Sequence, residues 1–64
     1  MKTLADLILD VLRTEGTLTA RGIWRRIGLG AASSVDTRLR LLEREGRVVG
    51  ERNGRFPTLW RLAP

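Results

Sequence analysis

Arg38, Arg40 and Arg44 lie within seven residues of one another, and Ser33, Ser34 and Thr37 stand just ahead of or among them. Further on, Arg52 and Arg55 bracket an Asn53-Gly54 pair. A guanidinium is a planar, always-charged fork that suits phosphate oxygens and guanine edges, and a short hydroxyl can reach either phosphate or base. The chemistry these residue types offer is therefore grip on a polyanion. Bond-breaking chemistry has little to work with. The chain has no histidine, cysteine or tyrosine, so general bases and nucleophiles reduce to carboxylates and hydroxyls. The acids, Asp6, Asp10, Glu15, Asp36, Glu43, Glu45 and Glu51, are spread along the chain with no metal-ligand or paired-carboxylate spacing. The expectation is a binding protein and not an enzyme, with no catalytic residue, metal, cofactor or small-molecule ligand.

Charge sharpens this. Twelve basic residues face seven acidic ones for a net +5, and all the basic residues except Lys2 are arginine. Residues 1–16 carry two basic and three acidic groups, residues 17–46 six and three, and residues 47–64 four and one. The positive charge is thus segregated into the last three-quarters of the chain. A general preference for arginine would explain the arginine-to-lysine ratio but not this segregation. No apolar run approaches a membrane span, and the first residues do not read as a signal sequence. The chain is expected to be cytoplasmic, or nucleoid-associated in a prokaryote or phage, with no membrane partner. At 64 residues it is expected to be a single domain, 1–64. A chain this short buries only about 60% of its unfolded surface, so the core must be economical.

The elements that would position the arginines follow from periodicity. Leu4, Leu7, Ile8, Val11 and Leu12 make a helical stripe that leaves Leu9 outside. Thr3 with Asp6 fits a capping box, and Gly16 a stop. Thr17-Leu18 is extended and very short. Thr19 is a good N-cap for a second helix with Ala20, Ile23 and Ile27 inward and Arg21, Arg25 and Arg26 outward. Ser33 and Asp36 offer a second capping box for a third helix over about 33–45, ended by Gly46. Asn53-Gly54 between β-prone runs signals a hairpin, with Arg52 and Arg55 as cross-strand neighbours. Pro57 belongs where the ladder needs no donor. The fold class is mainly α with a small β-hairpin (α+β). Expected core residues are Leu7, Val11, Ile23, Ile27, Val35, Leu39, Leu42 and Leu62, with Trp60 at the base of the hairpin.

The order helix, short strand, helix, helix, hairpin resembles a winged helix-turn-helix DNA-binding domain. The likeness is carried by Leu18-Thr19-Ala20, by Ile27-Gly28-Leu29 at the turn, and by Val35, Leu39, Leu42 and Gly46 along helix 3. It implies that helix 3 enters the major groove of double-stranded DNA and that the wing, about 50–58, grips backbone or minor groove. Helical geometry agrees independently. At about 100° per residue, Val35, Leu39 and Leu42 share one side while Ser33, Thr37, Arg40 and Arg44 fall opposite. The candidate DNA-binding residues are Ser33, Ser34, Thr37, Arg38, Arg40, Arg44, Arg52, Arg55 and Arg21. The expected function is sequence-specific binding of double-stranded DNA by a small transcriptional regulator. Two departures stand out: seven residues separate Gly28 from Val35, one more than the common spacing, and a large Trp24 sits where a small residue is usual.

"FPTLWRL" is similar, more narrowly, to the wing of the Z-DNA-binding alpha domains. There a proline-rich wing precedes a tryptophan that meets a helix 3 tyrosine and asparagine. Anchored on Gly46 and Trp60, those positions hold Arg40 and Asp36 here. Both changes remove the contacts the family makes, and an aspartate would repel phosphate. Left-handed DNA is therefore not the expected ligand. The competing reading is a winged-helix protein-interaction module with an apolar patch around Leu9, Trp24 and Leu41, its partner being a second protein or a second copy in a homodimer.

Overall fold

The computed structural model describes residues 1–64. Its elements run α1 (Leu4–Glu15), β1 (Leu18–Thr19), α2 (Ala20–Ile27), α3 (Ala32–Arg44), β2 (Val48–Asn53) and β3 (Phe56–Leu62). The α1 start is set by the expected capping box. Thr3 Oγ1 accepts from the Asp6 amide at 3.2 Å, and Asp6 Oδ2 accepts from the Thr3 amide at 3.1 Å. That bond from Thr3 holds the Asp6 carboxyl below its ordinary value. Thr19 caps α2 through Gly22, and Gly28 ends it in the left-handed conformation that glycine enters without steric cost. No helix is long and apolar enough to cross a membrane.

The three strands form one antiparallel sheet in the order β1-β3-β2. Leu18 pairs with Trp60 on one side of β3, and Gly50 pairs with Trp60 on the other. The central strand thus delivers Trp60 into the space under the helices. The core is Ile8, Leu9, Leu12, Ile23, Val35, Leu39, Leu42, Val48 and Trp60. It joins all three helices to the hairpin, so wing and helix 3 share one set of buried contacts.

Three expectations are corrected. Leu9 is 6% exposed and belongs to the core, whereas Leu7 and Val11 are only half-buried. The reason is that α1 packs against α2, α3 and β3 together, which turns its buried arc toward Leu9. Ile27 and Leu62 likewise lie at the core's margin. Helix 3 begins at Ala32 behind an Ala31 N-cap that makes no side-chain hydrogen bond, so Ser33 is inside the first turn and the Ser33–Asp36 capping box does not form. Gly28 and Gly30 both adopt positive φ, which turns the chain tightly enough for the helix to start early.

The hairpin turn is also displaced by one residue. Asn53 pairs with Phe56, so Gly54 and Arg55 are the central residues. Gly54 alone has positive φ, +55°, as a turn with glycine first requires. Between Asn53–Phe56 and Glu51–Leu59, Arg52 faces two residues, Pro57 and Thr58. This bulge accommodates the proline, which has no amide to donate. Arg52 and Arg55 are consequently not the cross-strand neighbours that the sequence suggests.

Candidate nucleic-acid interface

Two concave surfaces flank helix 3. One, of about 390 Å³, is lined by Leu4, Ser33, Ser34, Thr37 and Arg38. The early start of α3 puts both serines in its first turn, where the helix dipole favours anions, although the Ser34 amide already donates to the Ala31 carbonyl at 3.1 Å. The second, of about 280 Å³, lies where the start of α2, helix 3 and the wing meet, and is lined by Thr19, Ala20, Arg21, Asp36, Pro57, Thr58 and Trp60. Four candidate residues, Ser33, Ser34, Thr37 and Arg38, therefore gather at one surface, while Arg21 joins the wing at the other.

Between these surfaces, Arg40 stands beside Asp36, Nη2 to Oδ2 at 3.3 Å. Both side chains are solvent-accessible, so the pair adds little to stability. Its importance is electrostatic: the aspartate that faces the wing cleft has its own counter-charge one turn away. Arg44 is exposed and makes no ion pair, and the same holds for Arg38 and for Arg55 at the wing tip. Phe56, beside Arg55, is 75% exposed.

Arg52 does not stand free as the sequence suggested. Its guanidinium donates to both carboxylate oxygens of Glu43, Nη1 to Oε2 at 3.1 Å and Nη2 to Oε1 at 3.0 Å. It also lies 5.7 Å from the centre of the Trp60 ring. Glu43 is on helix 3, so this fork ties the wing to the helix. The hydrogen bond from Arg52 outweighs partial desolvation and holds the Glu43 carboxyl below its ordinary 4.5. A depressed carboxyl contributes stability that is complete above its unfolded value and is lost as pH falls through the lower folded one. Glu43→Gln should therefore flatten the acid limb of a melting-temperature profile below about pH 4.5, leaving a residual limb from Asp6. An unaltered acid limb would show that the fork contributes nothing to folding.

The apolar patch of the protein-docking alternative does not exist as imagined. Leu9 is buried, and Trp24 is half-buried with its indole N–H donating to the Gly30 carbonyl at 2.8 Å. Of the three, Leu41, 38% exposed, is the one that stands fully at the surface. Trp24 thus closes the α2–α3 turn, which explains how the longer Gly28–Val35 spacing is held.

Sequence reasoning missed the wing wall of Pro57, Thr58 and Trp60 as a site feature, and took Asp36 for a cap. The signal is the "FPTLW" likeness; in the sequence, Arg40 and Asp36 in place of the tyrosine and asparagine weigh against it, and only the structure shows the two paired with each other.

No family model matches the sequence, and no curated protein matches it. Solved structures do. A Zalpha domain of PKZ from Carassius auratus, in complex with Z-DNA, is 32% identical over 92% of this chain and 90% of that one, with a TM-score of 0.83. A PKZ Zalpha domain in complex with ds(CG)6 is 26% identical, covering 91% of this chain and 90% of that one, with a TM-score of 0.85. The apo-Zalpha domain of zebrafish PKZ, 24% identical over 95% of this chain and 92% of that one, shares the fold with a TM-score of 0.86. The narrower of the two resemblances thus extends from the wing over nearly the whole chain, and the winged-helix DNA-binding domain described here belongs to the Zalpha family.

Proposed function

We propose that this domain binds double-stranded DNA in its left-handed form, with helix 3 and the wing acting together as one shape-reading surface. The observation that carries the reading is the cleft of Asp36, Pro57, Thr58 and Trp60, built in a chain 32% identical to a domain crystallised with Z-DNA. Left- and right-handed duplexes carry the same charge per base pair and differ in where their phosphates lie. Telling them apart is therefore a reading of shape, which needs phosphate-seeking groups on a rigid frame. Trp60 is 2% exposed and fixed between β1 and β2, so the frame is present. The objection that Asp36 repels phosphate is answered by Arg40, which stands against its carboxylate.

A protein that binds only one handedness shifts the DNA toward it by mass action. Adding the protein to ds(CG)6 at low salt should invert the long-wavelength circular dichroism of the DNA. A random-sequence duplex should keep its right-handed spectrum. Arg55, unpaired at the wing tip, should contribute through phosphate: Arg55→Ala should make the slope of log K against log salt shallower by about 1.

The finer reading expected from the sequence, a sequence-specific transcriptional regulator, draws on the outward face of Ser33, Thr37, Arg40 and Arg44. It makes the opposite prediction in the same experiment. Binding without inversion, tighter on one right-handed sequence than on ds(CG)6, would overturn the left-handed reading in its favour.

A further inference from the structure

Four residues, Gly50, Trp60, Glu43 and Arg52, converge on one point between wing and helix. Gly50 pairs with Trp60, and a methyl group at Gly50 would lie 2.8 Å from Trp60 Cζ3, 3.0 Å from Cη2 and 3.1 Å from Glu43 Oε2. Only a residue without a side chain lets the indole ring and the carboxylate come this close to β2. Two residues along, Arg52 reaches over the same ring and grips Glu43 with both arms, while its Nη1 also reaches the Gly50 carbonyl at 3.3 Å. Glu43 sits on α3 two turns beyond Asp36. The ring, the fork and the glycine therefore tie the wing strands to helix 3 beside the cleft that Trp60 lines.

We infer that Gly50, Glu43 and Arg52 are positioning residues that hold the wing and helix 3 at a separation suited to a nucleic-acid duplex, with Arg52 serving as a strut and not as a phosphate contact. This rests on the cleft being the nucleic-acid site. It has a consequence opposite in sign to simple electrostatics. Removing an acidic group raises the net charge from +5 by one and should tighten binding to a polyanion. If Arg52 were a phosphate ligand restrained by Glu43, freeing it should tighten binding further. If the fork is a strut, losing Glu43 loosens the cleft and weakens binding.

The test is a double-mutant cycle of Glu43→Gln and Arg52→Gln, read as affinity for ds(CG)6 against salt. Proton NMR of the Trp60 indole and the Arg52 side chain provides a second readout. Each single variant should weaken binding roughly threefold to tenfold, with the pair no worse than either alone, as expected for groups acting as one unit. Neither should change the salt slope, and the ring-current shift of the Arg52 signals should vanish in Glu43→Gln. Exchanging the charges, with Glu43→Arg and Arg52→Glu together, should recover part of the loss. Tighter binding by Glu43→Gln, or a slope made shallower by Arg52→Gln, would overturn the inference and make Arg52 a phosphate ligand. Unchanged affinity in both variants would overturn it as well. Failure of the left-handed reading is distinguishable, because the wild-type protein then leaves the dichroism of ds(CG)6 uninverted while the cycle can still be read on whichever duplex it binds.

Discussion

Leu39→Ala is expected to leave this domain largely unfolded at room temperature. Leu39 is fully buried at the centre of helix 3, where it belongs to a core shared by all three helices and the hairpin. Truncating a buried leucine removes its transfer free energy and leaves a cavity, together about 2–5 kcal/mol. A domain of this size has a total stability of roughly 3–10 kcal/mol, and with nine buried residues it lies toward the lower end. Leu9→Ala tests the helix phasing. The α1 stripe read from the sequence makes that change harmless, while the structure buries Leu9 and assigns it a cost of about 2 kcal/mol or more. Leu41→Ala, at a partly exposed position on the same helix as Leu39, should change stability by less than about 0.5 kcal/mol. Urea denaturation separates the three. Leu9→Ala as mild as Leu41→Ala would mean that α1 does not pack as described.

What could be read from the sequence, and what could not, divides along physical lines. Features set by neighbours in the chain are legible: the Thr3–Asp6 box, the Thr19 cap, the glycine stop at Gly16, and the apolar stripe of helix 3. Features set by contacts between elements are not. Leu9 was misplaced because periodicity finds the centre of one apolar stripe, and α1 is packed on several sides. The hairpin turn was placed one residue early because Asn-Gly favours both central positions, whereas the Pro57-Thr58 bulge takes up an extra residue on β3 and shifts the register. The partners of Arg52 were invisible for the same reason. Glu43 lies nine residues away in sequence, and only the folding of β2 back along helix 3 brings the two together.

The largest functional effect is expected at Arg40, through the residue it neutralises. Asp36 lines the wing cleft, and its only ion-pair partner is Arg40. Arg40→Ala removes a cation from the outward face of helix 3 and leaves Asp36 facing the DNA uncompensated. Both losses weaken binding, so the fall should exceed what a single phosphate contact supplies. A loss of about 1–3 kcal/mol, roughly fivefold to 150-fold in affinity, is expected. Asp36→Asn should act in the opposite direction. It removes a negative charge from the cleft, supplies an amide that can donate to a phosphate oxygen, and restores the residue type that the family resemblance places there. Affinity for ds(CG)6 should rise. In the Asp36→Asn background, Arg40→Ala should then cost less than it does alone, because no uncompensated carboxylate remains. Titrations of the four proteins against ds(CG)6, followed by dichroism and repeated at two salt concentrations, measure this coupling. Additive losses would mean that Arg40 acts on DNA independently of Asp36. Weaker binding by Asp36→Asn would mean that the carboxylate itself serves the cleft, by holding Arg40 in place for its own contact with the duplex.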